Sequence, residues 1–192
     1  MNPIKEQEME KTATDTKIKW GIDPVHSEVS FKVKHLMITN VKGVFNEFDA
    51  SIYTTGEDFM TAEIDFWMNP ASVDTNDAKR DGHLKSADFF DVENHKQITF
   101  LGDSVENVDN DGSYELYGNL TIKGITHKIK LDVEFGGVMR DPWGNEKAGF
   151  TINGKFNRKD WGLTWNTALE AGGVLVSDDI YISCELQLVK QS

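Results

Sequence analysis

Apolar and polar residues alternate with a period of two along most of the chain from Ile18 onward. This period is typical of a β-strand that buries one face and exposes the other. Two segments alternate less regularly: Val41–Thr54, which changes phase after Phe45 as a β-bulge would, and Ile98–Val105. Together with the strong segments they predict eight strands. The strong segments are Val29–Met37, Met60–Met68, Glu115–Ile122, Ile125–Phe135, Ala148–Arg158 and Ile180–Leu188.

The connections between these segments are mostly short. Asp111-Gly112 and Lys123-Gly124 have the composition of hairpin turns. Successive strands with short connections are typical of an antiparallel meander. The sequence therefore predicts an all-β fold, an eight-stranded antiparallel up-and-down barrel, with a two-sheet sandwich as the alternative.

Two connections are long, and a meander places both at the same end of the barrel. They cover residues 70–97 and 159–177. Within the first, Asp77–Asp88 has the composition of a short helix preceded by N-capping residues. Because long connections in a compact domain are commonly functional or capping, we expect a lid over this end. The side chains expected to pack the lid are Leu84, Phe89, Phe90, Trp161 and Trp165.

Three polar residues share the phase of the inward apolar face near this end: His35, His127 and Arg158. An inward guanidinium needs an anion or several acceptors, because an unpaired buried charge is strongly destabilising. Arg80 and His83 in the lid are further candidates for contact with a polar head group. Each of the five has a structural alternative, either an ion pair or a hydrogen bond to the backbone.

The formal net charge of −12 argues against binding to nucleic acid or to an anionic membrane surface. No apolar run is long enough for a transmembrane helix, so we expect no stable membrane insertion. The single cysteine, Cys184, lies in an apolar strand, and the five histidines lack the spacing of a metal site. We therefore expect no metal, no cofactor and no catalytic residue.

Residues 1–17 are polar and mixed in charge, which predicts a disordered tail before one domain over residues 18–192. The tail lacks the apolar segment of a signal peptide. We expect a cytoplasmic location for the chain as written, and a periplasmic one if its N-terminus has been processed.

Six motifs follow one another along the chain: WGIDPVHSEVSFKVKHLMI, VKGVFNEF, RDGHLKSADFFDVE, ITF, YGNLTIKGITHKIKL and NRKDWGLTW. In order and spacing, from Trp20 to about Leu188, the chain resembles the YceI-like family of polyisoprenoid-binding proteins. The resemblance implies a lipocalin-like barrel that carries or stores long isoprenoid or fatty amphiphiles, often as a homodimer. Many family members are periplasmic and have a signal peptide, and we expect this chain to differ from them in that respect.

We expect non-catalytic binding, storage or transport of a long-chain amphiphilic lipid in the barrel: a polyisoprenoid, an isoprenoid quinone, or a fatty acid or amide. Inward Gly118 and Gly154 leave room for it. One alternative is an isomerase- or hydrolase-type enzyme that uses the inward histidines at the mouth, and another is an interaction module with a filled barrel. The inward positions expected to contact the lipid tail are Phe31, Val33, Phe66, Leu120, Ile129, Leu131, Phe150, Ile152, Phe156 and Ile182.

Overall fold

Strands account for most of residues 16–192, the part of the chain that this computed structural model describes. All of them belong to one sheet, and one short α-helix lies between the sixth and seventh. The elements are β1 (Lys17–Ile22), β2 (Glu28–His35), β3 (Thr39–Phe45), β4 (Phe48–Thr55), β5 (Asp58–Met68), β6 (Val73–Asp74), α1 (Ala78–Lys85), β7 (Ile98–Asn107), β8 (Ser113–Ile122), β9 (Ile125–Arg140), β10 (Glu146–Asn157) and β11 (Val176–Lys190).

The strands build a closed antiparallel barrel of eight walls, because two of the walls consist of two strands each. β1 and β2 both pair with β11, while β4 pairs with β1 and β3 pairs with β2. A 3₁₀ turn, Pro24–His26, separates β1 from β2, and Asn46 and Glu47 separate β3 from β4. The predicted up-and-down barrel is therefore confirmed, and the phase change predicted after Phe45 is the break between β3 and β4.

Two predicted boundaries differ from the observed ones. β1 begins at Lys17, one residue before the predicted start of the domain, and residues 1–15 of the predicted tail lie outside the described residues. The strand predicted to reach Met37 ends at His35, because Leu36 and Met37 have positive φ and form a turn. The alternation of apolar residues continues through this turn, so the pattern alone cannot locate its start.

An aromatic cluster closes the end of the barrel opposite the two long connections. The ring centroid of Phe59 lies 5.0 Å from those of both Trp20 and Phe150, and 5.4 Å from that of Phe135. The indole N–H of Trp20 donates to the hydroxyl of Thr54 at 3.0 Å, which satisfies the polar atom of a fully buried ring. We call this cluster the floor of the barrel.

Asp23 links the turn between β1 and β2 to β10 and β11, the last two strands of the barrel. Its carboxylate accepts hydrogen bonds from Lys147 Nζ at 2.8 Å, from the Val25 backbone N–H at 3.2 Å and from Gln187 Nε2 at 3.3 Å. The hydrogen bond from Lys147 holds the pKa of Asp23 well below its usual range against the opposing effect of burial, and His26 adds to the lowering.

Replacing Asp23→Asn is expected to lower the free energy of unfolding near neutral pH by about 1 kcal/mol, since a charged hydrogen bond becomes a neutral one. The folded-state pKa lies below the unfolded value of about 3.9, so the stabilisation by Asp23 is present above that value and is lost as the pH falls through the folded-state pKa. Urea unfolding followed by tryptophan fluorescence should therefore show that the variant has a lower free energy of unfolding than the parent, and that this difference shrinks below about pH 4. A deficit that is the same in acid as at neutral pH would contradict this account.

Candidate functional site

Two cavities lie end to end inside the barrel. The lower cavity, of about 150 Å³, lies above the floor, and the upper cavity, of about 770 Å³, extends to the long connections. They are adjacent because five residues of the walls line both of them: Val29, Met68, Ile98, Leu120 and Ile182. Among the residues that line the lower cavity, only Thr99, Tyr114 and Cys184 carry a hydroxyl or thiol group. Water there would find few hydrogen-bond partners, so the space favours an apolar occupant.

All ten residues predicted to contact a lipid tail line these cavities. Phe31, Val33 and Phe156 line the upper cavity, Phe66, Ile129, Leu131, Phe150 and Ile152 line the lower one, and Leu120 and Ile182 line both. The alternation along each strand is the signal that places them inside the barrel. Their contact with a ligand stays a prediction.

The two inward glycines do not leave the room that the sequence suggested. A Cβ atom at Gly118 would collide with the Phe100 ring, and one at Gly154 would lie 2.5 Å from a methyl carbon of Leu131. The space beside each glycine is therefore occupied by a side chain of a neighbouring strand. The cavities arise from the width of the barrel rather than from these small residues.

The two long connections meet above the upper cavity. The His83 ring lies 4.6 Å from the Trp165 ring and 5.2 Å from the Phe89 ring, and the Phe89 and Trp165 centroids are 5.5 Å apart. These contacts join α1 and the residues after it to the second long connection. We call the joined connections the lid, and Leu84 and Phe90 also line the cavity beneath it.

Trp161 has a different position from the other predicted lid residues. Its side chain is buried, lies 4.8 Å from the Phe156 ring, and donates its indole N–H to the Leu120 carbonyl at 2.9 Å. It lines neither the upper nor the lower cavity. Trp161 therefore packs against the wall of the barrel, where it contacts Leu120 of β8 and Phe156 near the end of β10.

Arg158 faces the upper cavity, but the chain itself occupies its donors. The guanidinium is 2 % exposed, and burial lowers its pKa while the Asp178 carboxylate, 3.8 Å away, opposes that effect. Its N–H groups donate to the backbone carbonyls of Leu163, Trp165, Val176 and Ser177. This corresponds to the structural alternative, in which Arg158 holds the second long connection in place.

Arg80 combines a fixed orientation with a free donor. Its Nε donates to the Thr75 hydroxyl at 2.8 Å and its Nη2 to the Thr75 carbonyl at 2.8 Å, while the Thr75 hydroxyl donates to Asp81 at 2.6 Å. Within residues 16–192 the Arg80 Nη1 has no hydrogen-bond partner, and the side chain lines the upper cavity. An oriented guanidinium at a cavity mouth can bind a carboxylate, a phosphate or a carbonyl group.

The sequence did not identify Thr75 as a component of this site. Thr75 follows β6, which has only two residues and pairs with β3 at the edge of the sheet. So short a strand has no detectable alternation. A Thr five residues before an Arg gave no signal of its own.

The three histidines of the prediction are separated. His35 lines the upper cavity at the end of β2, and His83 lines it from the lid, where its Nε2 lies 2.9 Å from the Asp88 carboxylate. His127 lines neither cavity: it is exposed, and its Nε2 lies 2.9 Å from the Asp160 carbonyl. The inward phase of His127 does not place its side chain in a cavity. The pairing of β9 with β10 ends at Asp132, and the 3₁₀ turn after β10 covers this part of β9.

Cys184 is not a nucleophile in this site. Burial raises the pKa of its thiol to about 12, so the thiol stays protonated near neutral pH. Within residues 16–192, no three His, Cys, Asp or Glu side chains are grouped to hold a metal ion. In the same range no helix has both the length and the apolar character that crossing a membrane requires.

Replacing Arg158→Met should lower the free energy of unfolding by about 3 kcal/mol, because carbonyl groups in the buried connection lose their donors. Arg140→Met is the matched control, since Arg140 is exposed at the other end of the barrel and should change stability by less than about 0.5 kcal/mol. Urea unfolding measures the change in the free energy of unfolding for both variants. Equal effects of the two substitutions would mean that Arg158 does not hold the connection.

Comparison with known proteins places the fold and the motifs in a family. The model of the YceI-like domain matches residues 20–188. A UPF0312 protein of Staphylococcus epidermidis is 39% identical over 163 residues, which is 84% of this chain and 92% of that relative. The crystal structure of the Campylobacter jejuni YCEI protein is 35% identical with a TM-score of 0.72, over 83% of this chain and 90% of that chain.

A polyisoprenoid binding domain from Saccharophagus degradans has the same fold, with a TM-score of 0.62 and 13% identity over 91% of this chain and 99% of that chain. Identity this low supports the fold alone. The family model spans residues 20–188, which include both long connections, and each of the relatives above 30% identity covers more than four fifths of the chain. This chain belongs to the YceI-like family.

Proposed function

We propose that this protein binds a long-chain amphiphilic lipid without catalysis, and that it stores or transports this lipid with the tail inside the barrel. The observation that supports the proposal most is the pair of end-to-end cavities, whose lining is almost wholly apolar above the floor and gains charged and polar residues only in the upper cavity, towards the lid. The name of the Saccharophagus degradans domain, which binds polyisoprenoid, favours the same class of ligand. The proposal needs no cofactor. Homodimerisation and the choice between storage and transport rest on the family resemblance.

The dimensions of the cavities suit a slender tail. The upper cavity, of about 770 Å³, lies within the usual range for ligand pockets, roughly 300 to 1,000 Å³. The lower cavity, of about 150 Å³, has room only for the end of a chain. Each buried methylene contributes about 0.8 kcal/mol before the costs of binding, so affinity should rise with tail length until the tail reaches the floor.

The mouth of the upper cavity suits a head group that accepts hydrogen bonds. Arg80 is the main candidate because its Nη1 is free within residues 16–192. His35 and His83 line the same cavity and can add a polar contact. We assign no head-group contact to Arg158, whose donors are occupied, or to His127, which lies outside the cavities.

The two alternatives have less support. An enzyme that uses His35 or His127 as an acid–base at the mouth would need a second polar group within hydrogen-bond reach of the substrate. Of the two histidines, only His35 lines either of the two barrel cavities. A filled barrel would leave no cavity of several hundred Å³ beneath the lid. Neither alternative has a specific observation in its favour.

Filling the junction between the cavities should block the tail. Replacing Ile182→Trp puts a large ring where the cavities meet, while Tyr181→Trp only enlarges the ring of the preceding residue of β11, which is 44% exposed. A fluorescent long-chain fatty acid should bind at least about tenfold more weakly to the first variant and unchanged to the second. Circular dichroism would confirm that both variants are folded. Equal affinities would mean that the tail does not occupy this junction.

Removing the Arg80 guanidinium, whose Nη1 has no partner within residues 16–192, should weaken binding of the head group and leave binding of the tail unchanged. Arg80→Gln is expected to weaken binding of a long-chain carboxylate about tenfold, because a charge-assisted hydrogen bond is lost. Binding of a tail of equal length that ends in a hydrocarbon should not change. Lys85→Gln, at the end of α1 and away from the cavity lining, is the matched control. If Arg80→Gln weakened both ligands equally, Arg80 would stabilise the lid rather than bind the head group.

A further inference from the structure

Three consecutive apolar side chains project from the turn between β2 and β3. Leu36 is 41% exposed, Met37 52% and Ile38 77%. Single exposed apolar residues are common on protein surfaces, but a contiguous exposed group frequently marks a binding surface. We call these three residues the apolar tip.

The backbone holds the apolar tip in a conformation that its residues disfavour. Leu36 has φ 51° and Met37 has φ 63°, which is the left-handed region that Asn and Gly adopt most easily in such turns. Two hydrogen bonds fix the turn: Leu36 N–H donates to the Leu175 carbonyl at 2.9 Å, and Ile38 N–H to the His35 carbonyl at 3.1 Å. Large apolar side chains in strained positions indicate that their exposure has a role beyond folding.

The apolar tip adjoins the mouth of the upper cavity. His35, the residue before the tip, and Leu175, which accepts its hydrogen bond, both line that cavity. On its other side, a Cβ atom at Gly173 would lie 3.4 Å from Met37 Cγ, so the tip contacts the turn of the second long connection. That turn, residues 167–175 (TALEAGGVL), has Glu170 as its single charged residue. The rim of the mouth is therefore largely apolar on this side.

Cationic side chains flank the apolar tip in a chain whose net charge is −12. Lys32, Lys34 and Lys42 lie on the β2–β3 hairpin, where Glu28 is the single acidic residue. Lys side chains beside an apolar surface can extend to the phosphate groups of lipids while their methylenes contact the acyl region. The lysines lie on the two strands behind the apolar tip, so an apolar end followed by cationic side chains matches the acyl and phosphate layers of a bilayer surface.

We infer that the apolar tip docks the mouth of the barrel on a lipid bilayer, so that a tail can pass between the bilayer and the upper cavity with little exposure to water. The inference rests on the proposed function, which supplies the reason for the transfer. Insertion of three side chains anchors a protein peripherally and does not span the membrane. Because the chain as a whole is strongly negative, zwitterionic bilayers should bind it better than anionic ones.

The opposite end of the barrel offers an internal control. Met139 is 76% exposed and Trp143 is 84% exposed, at the turn between β9 and β10. These residues are also large and apolar, and both are more exposed than Leu36 and Met37, but they lie beyond the floor, far from the mouth. Non-specific adsorption of exposed apolar residues to vesicles would involve both ends of the barrel, whereas docking of the mouth involves the apolar tip alone.

Flotation with phosphatidylcholine vesicles tests the inference. The triple variant Leu36→Asn, Met37→Gly, Ile38→Ser suits the backbone of the turn, so we expect it to fold with at least the stability of the parent. Its vesicle-bound fraction should fall at least about tenfold relative to the parent. The control variant Met139→Ser, Trp143→Ser should bind as the parent does. A parent that does not float, or equal losses in both variants, would overturn the docking inference.

Site-specific labelling gives a second measurement that does not depend on loss of binding. Cys184 is buried and its thiol pKa is raised to about 12, so a cysteine introduced on the surface should react selectively with an environment-sensitive maleimide dye. The emission of dye at Ile38→Cys should shift to the blue when vesicles are added, and that of dye at Trp143→Cys should not. A shift at Trp143→Cys alone would place the membrane contact at the wrong end and would also overturn the inference.

Two further readouts separate docking on a bilayer from lipid binding in the cavity and from self-association of the chain. Binding of the fluorescent fatty acid in the absence of vesicles reports on the cavity alone, and the triple variant should retain it. If the parent binds the fatty acid but not vesicles, the proposed function stands and the docking inference fails. If it binds vesicles but not the fatty acid, the docking inference stands and the proposed function fails. If the triple variant converts a dimer to a monomer and the parent does not float, the apolar tip is a contact between two copies of this chain.

Discussion

Closure of the barrel is the constraint on which the rest of the structure depends. The last strand, β11, pairs with β1 near one end and with β2 along the rest of its length, so one continuous strand completes the ring. A ring of eight walls encloses more volume than its inward side chains fill, and the remainder forms the two cavities. Aromatic packing closes the floor, so the polar groups and the mouth are confined to the other end.

At that end the two arginines differ in their hydrogen bonds, although both line the upper cavity. Arg158 donates to four backbone carbonyls and thereby shapes the second long connection. Arg80 is held by one residue, Thr75, and within residues 16–192 its Nη1 has no hydrogen-bond partner. The contacts of His83 with Phe89 and Trp165 then join the two connections into one lid. If the proposed function holds, a lipid would enter or leave beside this lid, next to the apolar tip.

Much of this arrangement could be predicted from the sequence, because alternation along a strand fixes which side chains point inward. That rule gave the barrel and the cavity positions of the ten apolar residues. It failed for His127, where the strand pairing ends and a 3₁₀ turn intervenes, and for Met37, where the apolar alternation continues into a turn. The hydrogen bonds of Arg158 and the support of Arg80 by Thr75 depend on how loops fold back, which no period in the sequence encodes.

The central claim is that the barrel interior holds a lipid tail. Native mass spectrometry of the purified protein, with solvent extraction of any bound molecule, tests it most directly. We expect a complex of one chain with one long-chain amphiphile, and a protein stripped of its ligand should bind an added isoprenoid or fatty amphiphile again. Protein that is found only without ligand, and that binds neither class of added lipid, would contradict the claim.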